Sequence, residues 1–127
     1  MAHLVGTNIF LEILLGDGKA GVCSSFISSH RGNLYITDFS INSIGVVTNR
    51  LKKIELFEIF LRDILPHVYI ARLPEFSYEA LVDAIKENGL DFDDAYQFIA
   101  SREYDLTLVT LDKDFRKVEK EHPVLFL

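Results

Sequence analysis

The chain has 127 residues, 49% of them hydrophobic and 25% charged, which suits one folded domain spanning 1–127 and excludes a disordered chain. Lys and Arg number 13 against 19 Asp and Glu, and a net charge of −6 argues against tight non-specific nucleic-acid binding, which rests on a basic footprint. With a single cysteine, no signal peptide and no apolar run long enough to span a bilayer, a cytoplasmic protein without disulfides is expected.

In chain order, His3–Val5 reads as a short buried strand that breaks at Gly6. Thr7 or Asn8 then caps a helix over Ile9–Leu15, with Ile9, Phe10, Ile13 and Leu14 on one face and Gly16-Asp17-Gly18 as the stop. A second helix covers Lys19–Ser29, and Leu34–Thr37 is a strand. Asp38–Leu51 is helical, with Ile41, Ile44, Val47 and Leu51 at three-to-four spacing. Ile54–Leu65 is the clearest amphipathic helix, its buried stripe being Ile54, Phe57, Leu61, Ile64 and Leu65, and Pro66 ends it.

Val68–Leu73 is the next strand, and Pro74 opens a helix through Asn88 with Phe76, Ala80, Ala84 and Ile85 inward and Gly89 as the left-handed stop. A helix over Asp91–Tyr104 leads into the apolar strand Leu106–Thr110, and Phe115–Glu121 is a short polar helix or turn. Pro123–Leu127 closes the chain as a strand. Strands alternating with helices predict a mostly parallel sheet covered on both faces.

Two acidic groups carry the chemistry. Asp112 and Asp114 follow the Leu106–Leu111 run, at the carboxyl end of a strand, where open α/β sheets place their ligands. On an extended segment residues two apart point the same way, so both acids can face one site. The second group is Asp91, Asp93 and Asp94, where Asp91 can cap the helix while Asp94, next to Ala95, stands near the apolar face. Carboxylates crowded together are costly unless a divalent cation neutralises them. The basic groups Arg50, Lys52, Lys53 and Arg116, Lys117, Lys120 read as solvated helix faces, and Cys23 reads as a small core residue. The four histidines lack metal-ligand spacing, and Gly16, Gly18 and Gly21 do not follow a strand in a phosphate-binding pattern.

Three segments together resemble the PIN-domain family, which includes the VapC toxins of toxin–antitoxin pairs: Thr7-Asn8-Ile9-Phe10-Leu11-Glu12-Ile13-Leu14-Leu15, Leu90-Asp91-Phe92-Asp93-Asp94-Ala95, and Leu108-Val109-Thr110-Leu111-Asp112-Lys113-Asp114-Phe115. The resemblance implies a Rossmann-like three-layer α/β sandwich with four or five strands, and an acidic carboxyl edge that binds Mg²⁺ or Mn²⁺. It implies cleavage of RNA by a metal-activated water, an antitoxin protein as partner, and a homodimer. Carried over by position, the implied metal ligands are Asp94, Asp112 and Asp114, with Thr7 and Asn8 as further site residues. Two positions depart from the family pattern: Gly6 stands where it has a first-strand aspartate, and Ser43 where it has a glutamate. Asp38, at the end of the second strand, is a candidate substitute. The alternative reading is an inactive protein of this fold that binds RNA or a protein partner.

Overall fold

Short apolar and β-branched runs form the strands, and the computed structural model describes residues 2–127. The strands are β1 (His3–Val5), β2 (Leu34–Thr37), β3 (Tyr69–Ala71), β4 (Thr107–Thr110) and β5 (Val124–Phe126). All pairings are parallel, in the order β3-β2-β1-β4-β5. The expected sheet is therefore present with five strands, and among the described residues none is antiparallel.

Six α-helices flank it: α1 (Thr7–Leu15), α2 (Ala20–Ser29), α3 (Asp38–Arg50), α4 (Ile54–Ile59), α5 (Tyr78–Asn88) and α6 (Phe92–Glu103). The strand period of two divides the core. Leu4 and Leu108 face a cluster with Leu81, Ala84, Phe98 and Ile99 of α5 and α6. Their neighbours Val5 and Val109 face the other way, into a cluster with Ile9, Phe10, Phe26, Ile44 and Phe60. The result is a three-layer α/β sandwich. Gly16 and Gly89 end α1 and α5 at φ 66° and 67°, the left-handed conformation that a glycine adopts without steric cost.

Several expectations need correction. The helix predicted over Ile54–Leu65 is three pieces: α4, a π-helical turn at Phe60–Ile64, and a 3₁₀ turn at Leu65–His67 that contains Pro66. Of the expected stripe, Phe57, Ile64 and Leu65 pack against the core, whereas Ile54 and Leu61 are 45% and 41% exposed and Phe60 is the fully buried residue. Phe60 packs edge-on against Phe10, with ring centroids 5.5 Å apart. Phe76, expected inward, is 77% exposed because Glu75–Ser77 forms a separate 3₁₀ turn ahead of α5. Neither Thr7 nor Asn8 caps α1; Gly6 holds the cap position without a side-chain bond, and Thr7 begins the helix.

Phe60→Ala is expected to lower unfolding free energy by about 3–5 kcal/mol, because it empties the space beside Phe10. Phe76→Ser, on the surface, should stay within about 0.5 kcal/mol. Urea denaturation of the two variants measures both.

Candidate metal centre at the carboxyl edge of the sheet

From β1 the chain builds outward through β2 to β3 on one side, whereas β4 and β5 are added on the other. Adjacent β1 and β4 thus form a topological switch point, and the crevice beyond their carboxyl ends is where an open parallel sheet receives ligands. Gly6 follows β1, and its N–H donates to the Val109 carbonyl at 2.8 Å. Asp112 and Asp114 follow β4, and Asp94 lies in the first turn of α6.

Local bonding sets each acid in place. Asp91 caps α6 by accepting from the Asp94 N–H at 2.8 Å, so its own carboxylate is spent on the helix end. Asp94 is 8% exposed. After β4 the Asp112 N–H donates to Thr110 Oγ1 at 2.9 Å, and Asp112 Oδ1 accepts from the Asp114 N–H at 2.9 Å. Asp112 thereby caps the 3₁₀ turn Lys113–Lys117. The two acids are not on an extended segment, as the sequence reading had it. This turn nevertheless brings them together with Asp94: each of the three offers an oxygen, and these atoms lie within 4.8 Å of one another.

The electrostatic cost is visible. Burial raises the Asp94 carboxyl from 3.8 to about 7, and the nearby charges of Asp91, Asp112, Asp93 and Asp114 add to the effect. Asp93 is raised as well, chiefly by burial, against the opposing hydrogen bond from Gln97.

Gln97, which sequence reasoning passed over, stands behind this group. It is 4% exposed and follows Asp94 on α6 by three positions, on the same helix face. Its Nε2 donates to Asp93 Oδ1 at 3.0 Å and to Thr7 Oγ1 at 3.4 Å. Thr7 Oγ1 in turn donates to Ser40 Oγ at 2.8 Å, which also accepts from Thr37 Oγ1 at 2.9 Å. Gln97 Oε1 is buried and has no hydrogen-bond partner among the described residues, a condition that costs about 1–3 kcal/mol. The only signal in the sequence was the i,i+3 relation to Asp94.

Of the other predicted residues, Thr7 is buried in this network and Asn8 is exposed. Asn8 lines a groove of about 470 Å³ with Phe39, Asn42, Ser43, Arg50 and Asp93. Arg50, read as a solvated face, thus borders the groove. Asp38 is not one of the three clustered acids. Its Oδ1 accepts from the Tyr96 hydroxyl at 2.7 Å and from the Phe39 N–H at 3.0 Å, so it is committed elsewhere. A Cβ added at Gly6 would lie 3.1 Å from Gln97 Oε1 and 3.1 Å from the Val109 carbonyl oxygen.

The donors suit a divalent cation. Three hard carboxylate oxygens converge, and an unpartnered buried amide oxygen lies at the same edge, the oxygen-only chemistry that Mg²⁺ and Mn²⁺ prefer over thiolate or imidazole. Asp94, Asp112 and Asp114 are the residues that would hold it.

A parallel five-stranded α/β sandwich with acids gathered at its switch point defines a class of fold and edge. The family model of the PIN domain matches residues 4–121, and the chain belongs to that family. Solved structures share the fold. A VapBC2 complex from Rickettsia felis, bound to a DNA fragment from its promoter, superposes with a TM-score of 0.78 at 18% identity, over 98% of this chain and 97% of that one. Mycobacterium tuberculosis VapC20, a Sarcin-Ricin loop cleaving toxin, gives 0.77 at 13% identity, over 95% and 96%. A toxin–antitoxin complex from Klebsiella pneumoniae gives 0.73 at 19% identity, over 90% of each chain. No curated protein matches by sequence.

Because the folded-state value of Asp94 lies above its usual 3.8, the folded metal-free protein keeps a proton that the unfolded chain releases. Stability in EDTA should therefore fall as pH rises between about 4 and 7, by at most about 1.4 kcal/mol per pH unit from this group. Urea titrations in EDTA across this range should show the decline, and Asp94→Asn should flatten it.

Proposed function

We propose that the protein is a metal-dependent endoribonuclease of the VapC toxin type, held in check by an antitoxin protein. The observation that carries the reading is the convergence of Asp94, Asp112 and Asp114 to within 4.8 Å at the switch point of a PIN fold. A bound Mg²⁺ or Mn²⁺ supplies positive charge beside the scissile phosphate and lowers the pKa of a bound water. The remaining roles belong to the chain. The three carboxylates would hold the cation in an oxygen cage; the Asp112 cap orients its own carboxylate, and the Asp91 cap fixes the start of α6, which carries Asp94. Along the groove Arg50 presents a cation to the phosphate backbone, Phe39 an apolar wall to a base, and Asn8 and Asn42 their amides.

Partner binding draws on the relatives. VapBC2 and the Klebsiella pneumoniae protein were solved as toxin–antitoxin assemblies. Here Val46, Leu51, Ile54, Ile59 and Leu61 along α3, α4 and the turn that follows are 37–49% exposed, apolar area that an antitoxin or a second copy in a homodimer would cover.

A second reading, favoured by Gly6 and Ser43 standing where the family pattern has acids, is a catalytically silent protein that binds RNA or a protein partner. The two readings separate on one assay. Purified protein is incubated with a panel of structured and single-stranded RNAs in Mg²⁺, Mn²⁺ or EDTA. Cleavage should require the cation and be lost in EDTA. Asp112→Asn should reduce it by more than the ~10–100-fold that removal of an outer-shell partner costs. Retention of RNA without cleavage in either cation would favour the second reading.

A further inference from the structure

Gln97 is held in a single amide orientation. Both Nε2 hydrogens have acceptors, Asp93 Oδ1 at 3.0 Å and Thr7 Oγ1 at 3.4 Å, and Oε1 faces the opposite way, toward the carboxyl ends of β1 and β4. Turning the amide over would set its oxygen against the Asp93 carboxylate. Two backbone donors at this edge are already used. The Gly6 N–H is bonded to the Val109 carbonyl, and the Asp112 N–H to Thr110 Oγ1. The oxygen is thus sealed from bulk water, at an acidic edge, without a donor. Among carboxylates, the neighbour that favours such an oxygen is an electropositive one.

Gly6 gives this oxygen its room. Its φ of −68° and ψ of 155° are ordinary extended backbone, so no unusual conformation calls for glycine. The demand is spatial, because any Cβ there would stand 3.1 Å from Gln97 Oε1. Gly6 and the seated Gln97 are therefore a matched pair.

We propose that Gln97 is a further binding residue of the metal centre, with Oε1 a neutral oxygen donor to the divalent cation that Asp94, Asp112 and Asp114 would hold. The proposal rests on the metal-site reading above. It gives the edge one negative charge fewer than a carboxylate at position 6 would, while keeping an oxygen there.

The full chain, stripped with EDTA, is titrated with Mn²⁺ by calorimetry, and its melting temperature is read in Mn²⁺ and in EDTA. Gln97→Met should weaken Mn²⁺ binding about 10-fold, within the range for lost supporting partners of a metal site, and shrink the ion-induced rise in melting temperature. Gln97→Glu, which restores an oxygen and adds charge, should bind Mn²⁺ at least as tightly as the native chain. It should also be less stable in EDTA. Gly6→Ala removes no oxygen yet should weaken binding several-fold by displacing Oε1, and it serves if Gln97→Met does not fold. A purely structural glutamine would lower both melting temperatures equally and leave Mn²⁺ affinity unchanged. If Gln97→Met and Gly6→Ala bind Mn²⁺ within twofold of the native chain while Asp112→Asn does not bind, the metal centre stands and Gln97 has no part in it. If the native chain binds no Mn²⁺ at millimolar concentration, the metal-site reading fails and this proposal with it.

Discussion

Repulsion among like charges is the constraint around which the carboxyl edge is built. Three carboxylates offer oxygens within 4.8 Å of one another, one of them on a residue only 8% exposed, and like charges so placed repel. Burial, with the neighbouring acids adding to it, raises the Asp94 carboxyl to about 7. Backbone geometry then restrains the acids from drifting apart. Asp112 is bonded to the N–H of Asp114, and Asp94 lies in the first turn of α6, where the helix dipole offsets part of its charge. An edge that holds charge together in this way is poised for a cation.

The same edge joins the two helical layers. A run of hydrogen bonds passes from Asp93 through Gln97, Thr7 and Ser40 to Thr37, linking α6 on one face of the sheet to α1 and α3 on the other. Such buried polar links are favourable where every member is satisfied, and they specify one arrangement of the elements they join. Gln97 Oε1 is the exception in this run, and with the Val109 carbonyl oxygen it borders the space above Gly6. The groove begins where the run surfaces, at Asp93 and Thr7, and continues past Ser43 to Arg50.

Much of the fold was legible from local pattern. The strands His3–Val5 and Leu34–Thr37 and the stops at Gly16 and Gly89 stand where the sequence put them, because turn chemistry and apolar runs act over a few residues. The reading lost its hold where neighbours distant in the chain decide. The Ile54–Leu65 stripe assumed a regular helix; Phe57, Ile64 and Leu65 do pack inward, but with a widened turn Phe60 is seated against Phe10 and Leu61 is left exposed. Phe76 was placed inward by periodicity, yet the 3₁₀ turn at Glu75–Ser77 is not in phase with α5. In the candidate site, the three acids could be named in advance. The placement of Gln97 beneath this edge and of Arg50 along the groove could not, since neither has local context that sets it apart.

By itself the sequence determined the alternation of short strands with helices, the Asp91 cap, and the placement of acids immediately after one strand and at the start of one helix. These follow from backbone preferences and hydrogen bonds among residues two to four apart. Only the tertiary structure decided that β1 lies between β2 and β4, pairing His3 with Thr107, and so brought Gly6, Asp94 and Asp112 to a common edge. It also decided the direction of the Gln97 oxygen, which depends on Asp93 and Thr7 converging from different elements. The physical reason is that parallel pairing joins segments far apart in the chain, and no period within either segment encodes which partner it meets.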